Sequence, residues 1–122
     1  MAEAEQRKVA IVDDDHAVRD SLRCLLEVAG HPVETFASAA EFLKTETQHL
    51  ACLILDHHMP NMTGMELAEM LHADGAGIPI LLITGSPSPD IIARGAELGI
   101  DSVLEKPLDD EDLLRFVNAS RP

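Results

Sequence analysis

Four apolar runs in this chain each give way to a residue that can do chemistry. Ile11-Val12 leads into Asp13-Asp14-Asp15, Leu53-Ile54-Leu55 into Asp56, Leu81-Leu82-Ile83 into Thr84, and Ser102-Val103-Leu104-Glu105 into Lys106. Short apolar runs bounded by turn signals read as strands covered on both faces. In an open parallel sheet the carboxyl ends of such strands share one edge, where ligands bind. The carboxylates, the hydroxyl and the ammonium should therefore converge. Two carboxylates about 5 Å apart repel by roughly 3 kcal/mol at an effective dielectric of 20, so three in one pocket call for a cation or a raised pKa. Hard oxygen donors, without Cys or paired His at ligand spacing, favour Mg²⁺ or Mn²⁺ over zinc, and Mg²⁺ leaves room for water and a phosphate oxygen. The remaining roles then separate: Asp56 as carboxylate nucleophile, Lys106 as counter-charge to one phosphoryl oxygen, Thr84 as hydroxyl donor to another. Singly, each residue has a plainer explanation: an acidic helix cap at Asp13 to Asp15, a turn Asp before Pro60, a turn Thr, a solvated Lys beside Pro107. Their arrival at one edge is what those explanations leave out.

The elements that must position these residues alternate along the chain. Lys8 to Val12 reads as a first strand. His16 to Ala29 reads as a helix with Val18, Leu22, Leu25 and Leu26 on one side and Gly30 as the left-handed residue after its end. Pro32 to Phe36 is a second strand, and Ser38-x-x-Glu41 has capping-box spacing for a helix reaching about Thr47. The run Ala51 to Leu55 is the third strand. Thr63-x-x-Glu66 opens a helix with Leu67, Ala68, Met70 and Leu71 as its apolar stripe, closed by Gly75 and Gly77. Ile78 to Ile83 is the fourth strand. Ser88-Pro89 starts a fourth helix carrying Ile91, Ile92, Ala96 and Leu98 and stopping at Gly99. Ser102 to Glu105 is the fifth strand, and Asp109 caps a last helix with Leu113, Leu114 and Val117 inside. Such βα alternation implies an α/β fold, a single doubly wound parallel sheet with right-handed crossovers and helices on both faces.

Composition sets limits on function. With 122 residues, 46% of them hydrophobic, the chain forms one domain and needs no disulfide or metal to fold. Residues 1–7 are polar without period and read as a flexible arm, leaving 8–120 as the domain. The formal charge of −13 repels phosphate backbones, and with no Trp, no Tyr and three Phe there is no stacking platform, so this chain itself should not bind nucleic acid. Two cysteines, Cys24 and Cys52, are too few for a disulfide framework. With no signal peptide and no long apolar span, the expectation is a cytoplasmic protein with both thiols reduced and no membrane contact.

The motifs Val12-Asp13-Asp14-Asp15, Leu55-Asp56-x-x-Met59-Pro60-x-Met62-x-Gly64-x-Glu66-Leu67, Ile83-Thr84-Gly85 and Glu105-Lys106-Pro107, in this order, resemble those of a response-regulator receiver domain of the CheY-like kind. The resemblance covers residues 8 to about 120. Val18-Arg19-Asp20-Ser21-Leu22, with the Thr84-Gly85 and Glu105-Lys106-Pro107 details, looks most like the FixJ/NodW group. The resemblance implies a flavodoxin-like (βα)5 sandwich with strand order 2-1-3-4-5. It implies phosphotransfer from the phosphohistidine of a sensor histidine kinase to Asp56, with Mg²⁺ held by Asp14, Asp56 and the backbone carbonyl of His58, and Asp13 assisting through water. Thr84 and Lys106 would then engage the phosphoryl group and reshape the face made by the fourth helix, fifth strand and fifth helix. That face commonly mediates dimerisation in the family. The switched face would control either an output domain or, in a stand-alone receiver, a separate partner, and the FixJ-like details favour a parent with a DNA-binding domain.

Three departures from the family pattern stand out. Val103 replaces the usual Phe or Tyr three residues before the lysine, so the aromatic rotamer switch is absent. Leu108 replaces the usual Phe after Lys-Pro, and Ser86-Pro87-Ser88-Pro89 predicts a stiffer loop. Adjacent side chains on an extended segment point apart, so His57 and His58 should not share a metal; His58 is expected to flank the pocket entrance and tune phosphoryl lifetime, and the family pattern turns His57 inward as a packed residue. His16 reads as a first-turn helix residue. Two rival functions bracket this reading. Asp13-x-Asp15 resembles the nucleophile motif of haloacid-dehalogenase-type phosphatases, but Ala17, the lack of a cap insertion and the Asp-x-x-Met-Pro motif oppose it. A phosphorylation-independent interaction domain is opposed by the intact acids, Thr84 and Lys106. The expectation is a signalling domain that acts only on its own phosphoaspartate, not an enzyme of turnover.

Overall fold

The structure, a computed structural model, describes residues 7–120. Of the expected arm at residues 1–7, residues 1–6 lie outside the described residues and Arg7 is exposed. The elements follow one another as β1 (Lys8–Val12), α1 (His16–Val28), β2 (Val33–Phe36), α2 (Ala39–Leu43), β3 (Leu50–Asp56), α3 (Gly64–Ala73), β4 (Ile80–Thr84), α4 (Pro89–Glu97), β5 (Ser102–Glu105) and α5 (Asp110–Ala119). The sheet is parallel throughout, in the order β2-β1-β3-β4-β5.

The continuous apolar runs are explained by the period of two along each strand, because both faces are covered. On one face Val9, Ile11, Cys52, Ile54, Leu81 and Ile83 pack against Leu22 and Leu26 of α1 and Leu113 and Val117 of α5. On the other, Ala10, Val12, Leu53, Leu55 and Leu82 pack against Phe42 of α2 and Leu67, Ala68 and Leu71 of α3. Each fully buried Leu or Ile contributes roughly 2 kcal/mol. The central strands are thus a rigid platform, and the residues just past their carboxyl ends inherit that rigidity.

Local chemistry sets most element ends as the sequence predicts. Asp15, Ser38, Thr63, Ser88 and Asp109 all serve as N-caps, each accepting a backbone N–H of the first turn, and Thr63 with Glu66 closes a reciprocal capping box. Three details differ. The second helix ends at Leu43 instead of about Thr47, since Lys44 to His49 offers no apolar residue to bury. Its Glu41 carboxylate accepts from Ala37 N–H, one residue before the cap, so that box is not reciprocal. Met70 and Ile92, read as inner-face residues, are 41% and 53% exposed, and Ala96 is exposed as well. In α3 the buried positions are Gly64, Leu67, Ala68 and Leu71, which leaves Met70 about 100° away around the helix. In α4 close approach runs through Gly95, where an added Cβ would sit 3.5 Å from Ile100 and 3.7 Å from Val103, and this turns Ile92 and Ala96 outward.

Candidate functional site

The expected residues meet at the carboxyl edge of the sheet. Backbone pairing continues past the strand ends and carries them into place: Asp13 N–H donates to Phe36 O (3.1 Å), His57 N–H to Ile83 O (2.9 Å) and Lys106 N–H to Thr84 O (3.0 Å). Asp13 is 2% exposed and Asp56, the last residue of β3, 3% exposed, while Asp14 faces solvent. Carboxylate oxygens of Asp13, Asp14 and Asp56 lie within 4.8 Å of one another. The third acid of the run has a different task. Asp15 Oδ1 caps α1 by accepting from Ala17 N–H (2.9 Å) and Val18 N–H (3.4 Å), so the helix-cap explanation holds for it alone among the three.

Asp56 Oδ1 is buried and 3.1 Å from Lys106 Nζ, an ion pair whose approach is not that of a directed hydrogen bond. This carboxylate therefore keeps unfilled acceptor capacity toward the pocket. Around it the backbone is tight: Gly64 N–H donates to His57 O at 3.0 Å, and a Cβ on Gly64 would stand 2.5 Å from Asp56 O. Only glycine lets the start of α3 come this close to the acid. Thr84 is fully buried, and its Oγ1 accepts from Ser86 N–H at 3.1 Å and lies 3.0 Å from Nε2 of the exposed His58.

The electrostatics follow from this crowding. Burial pushes the Asp13 carboxyl up from the ordinary carboxylate range, and the charges of Asp56 and Asp14 push the same way against the Asp15 N–H and Lys106. For Lys106 burial is the largest single influence and pulls down, but Asp56, with Asp13 and Asp14, outweighs it and holds the ammonium above its usual value. His57 is lowered, chiefly by burial and then by His58, against the pull of Asp56 and Glu66. A neutral ring suits its contact, since Nδ1 accepts Met65 N–H at 3.4 Å. The two imidazoles stand edge to face with centroids 5.1 Å apart, where an extended pair would point them away from one another; the chain bends at His57, and the rings still serve different partners, Met65 N–H and Thr84 Oγ1. The acids fit a hard divalent cation: the donors are all oxygen, the charges are close, and a buried carboxylate oxygen lacks a directed partner.

Two contacts of the site were not visible in the sequence. Arg19 Nη1 donates to the Asp13 backbone carbonyl at 2.7 Å, pinning the corner from which Asp13 and Asp14 project. Its Nη2 lies 3.3 Å from His16 Nδ1, whose Nε2 is 3.1 Å from Asp20, so His16 belongs to the outer first turn of α1. The second is the His58–Thr84 contact, between residues 26 apart in the chain.

The model of the response regulator receiver domain matches residues 9–118. The chain belongs to that family. Among relatives of this receiver domain, the transcriptional regulatory protein FixJ of Azorhizobium caulinodans is 38% identical over 117 residues, covering 95% of this chain and 56% of the relative. The chain spans about half the length of the curated relatives it matches. The chemotaxis protein CheY4 of Vibrio cholerae superposes with a TM-score of 0.85 at 31% identity, over 95% of this chain and 99% of that one. FixJ-N gives 0.84 at 30%, over 93% and 92%. The FixJ-like affinity and the 2-1-3-4-5 sheet expected of the family are thus both present. The receiver's departures have structural counterparts: Val103, half-buried, lies against the small Gly95 of α4, and Leu108 packs with the core of the α1 and α5 face. Among the described residues no helix is long and apolar enough to cross a membrane.

Proposed function

We propose that this receiver domain takes a phosphoryl group onto Asp56 from the phosphohistidine of a sensor histidine kinase. The observation that carries the reading is the Asp56 carboxylate itself: buried, 3.1 Å from Lys106 Nζ, and clustered within 4.8 Å with oxygens of Asp13 and Asp14. A carboxylate oxygen of Asp56 forms the new P–O bond while the P–N bond of the donor breaks, and the imidazole leaves with the electron pair. Hydrolysis of the acyl phosphate by water returns the carboxylate and releases inorganic phosphate. Lys106, its charge secured by the neighbouring acids, neutralises a phosphoryl oxygen, and the Thr84 hydroxyl donates to another. Asp14, Asp56 and the His58 carbonyl would hold Mg²⁺, or Mn²⁺, with Asp13 acting through water. When bound, the ion offsets negative charge gathering on the phosphoryl oxygens.

The chemistry at Thr84 and Lys106 reaches the α4-β5-α5 face directly, since Thr84 ends β4, Ser86 to Ser88 lead into α4, and Lys106 follows β5. With Val103 in place of an aromatic, the signal passes through the backbone of these elements, and the exposed Ile92 and Ala96 supply an apolar contact for phosphorylation-dependent homodimerisation. The domain turns over nothing but its own phosphoaspartate. It works in the cytoplasm beside its kinase, and in a longer regulator it controls an output domain that contacts DNA, as the names of its transcriptional relatives suggest. The acidic receiver itself does not touch nucleic acid. Intact mass after incubation with Mg²⁺ and acetyl phosphate tests the central step. One phosphoryl adduct is expected that is lost in Asp56→Asn and forms more weakly in Asp13→Asn at the same Mg²⁺; an adduct that persists in Asp56→Asn and disappears in Asp13→Asn supports a phosphatase-type nucleophile and refutes the assignment.

A further inference from the structure

We infer that His58 is a latch on Thr84, holding its hydroxyl in a resting orientation that must be released before Thr84 can serve a phosphoryl group. The inference rests on the receiver reading above. Thr84 is fully buried, yet its Oγ1 has two partners, and neither is Asp56: the Ser86 N–H at 3.1 Å and the His58 Nε2 at 3.0 Å. A hydroxyl has one proton and two acceptor positions. Ser86 occupies one acceptor position. Where the ring nitrogen accepts, His58 holds the single proton Thr84 has to offer; where it donates, it fills the remaining acceptor position and fixes the rotor. In both cases the reorientation of Thr84 has to break this bond.

The geometry makes His58 a suitable latch. Its ring is exposed while Thr84 is not, so it can swing into solvent without opening a cavity, and its neighbour His57 is anchored separately by the α3 N–H of Met65. The same bond network includes Ser86 N–H, the first amide after the Thr84-Gly85 step and the start of the path to α4. Releasing Thr84 therefore changes the electronic environment of Ser86 as well. His58 acts here as a positioning residue through Thr84, and this differs from a side chain that shields or orients water at the phosphoryl group. A single hydrogen bond of this kind is worth a factor of about two to ten in the equilibrium between the two Thr84 orientations.

The test combines His58→Ala, His58→Gln, Thr84→Val and the double variant His58→Ala with Thr84→Val. Without divalent metal, amide NMR spectra should show the Ser86 resonance displaced in His58→Ala and largely restored in His58→Gln, whose carboxamide reaches the same place. Titration with beryllofluoride and Mg²⁺ should give about two- to tenfold tighter binding in His58→Ala than in the wild type, with no difference between Thr84→Val and the double variant. An unmoved Ser86 resonance, equal binding in wild type and His58→Ala, or an effect of His58→Ala that survives in the Thr84→Val background overturns the latch. Failure of every variant to bind beryllofluoride, with no adduct on Asp56 from acetyl phosphate, refutes the receiver reading and the latch with it.

Discussion

Replacing Asp13 by Asn should stabilise the metal-free protein and remove most of its response to Mg²⁺. The Asp13 and Asp56 carboxylates are both almost fully buried, with oxygens no more than 4.8 Å apart. At that distance two charges repel by about 3 kcal/mol at an effective dielectric of 20. The half-solvated Lys106 returns part of this, and Asp14 adds little because it faces water. A net gain of about 1–2 kcal/mol is expected, which in a domain of this size is a rise of about 4–8 °C in Tm. The Asn side chain keeps an oxygen for the Asp15 N–H, so the substitution leaves no orphaned donor. The pH dependence follows from the sign of the shift. Asp13 binds its proton more tightly in the folded state, so its charge costs stability above the unfolded value of 3.8. The full cost applies above the raised folded value. The melting difference should be complete at neutral pH and shrink as pH falls toward 3.8. Thermal melts followed by circular dichroism in EDTA and in Mg²⁺ are sufficient. At Mg²⁺ a hundredfold above its dissociation constant the wild type gains about 2.7 kcal/mol, enough to reverse the order of the two melts. A variant that melts at or below the wild type in EDTA would show that the acids are not in conflict, and the argument for a cation site would fail.

Gly64→Ala should destabilise the domain by about 1–3 kcal/mol, because the new Cβ must push α3 away from Asp56 O; a denaturant midpoint equal to wild type would refute the close approach. Arg19→Gln removes the charged donor to the Asp13 carbonyl and should weaken Mg²⁺ binding about three- to tenfold by calorimetry, the equivalent of about 1 kcal/mol, whereas an unchanged constant would mean the corner holds itself. Ile92→Asp, on the exposed side of α4, should change stability by less than about 0.5 kcal/mol yet abolish any beryllofluoride-induced dimer in light scattering; an intact dimer would place the interface elsewhere.

What could be read from the sequence was what short-range chemistry controls. The buried strands declare themselves by apolar runs, and Ser38, Thr63, Ser88 and Asp109 declare the helix starts, because a cap acts on N–H groups two or three residues away. Given parallel strands, the meeting of the acids that follow β1 with Asp56, Thr84 and Lys106 follows from topology, since every carboxyl end opens on the same edge. Tertiary structure decided the rest. Which of Asp13, Asp14 and Asp15 is pocket and which is cap depends on how the chain leaves β1, a turn of the backbone that three identical side chains do not encode. Met70 and Ile92 looked inward because helical spacing gives a stripe but not its width, and packing through Leu71 and Gly95 rotated them out. The contact of His58 with Thr84 joins the loop after β3 to the last residue of β4, so it exists only once β3 and β4 are paired in register, Asp56 beside Ile83. Local propensities place each strand end; only the paired sheet brings the imidazole of the loop after β3 within 3.0 Å of the hydroxyl that ends β4.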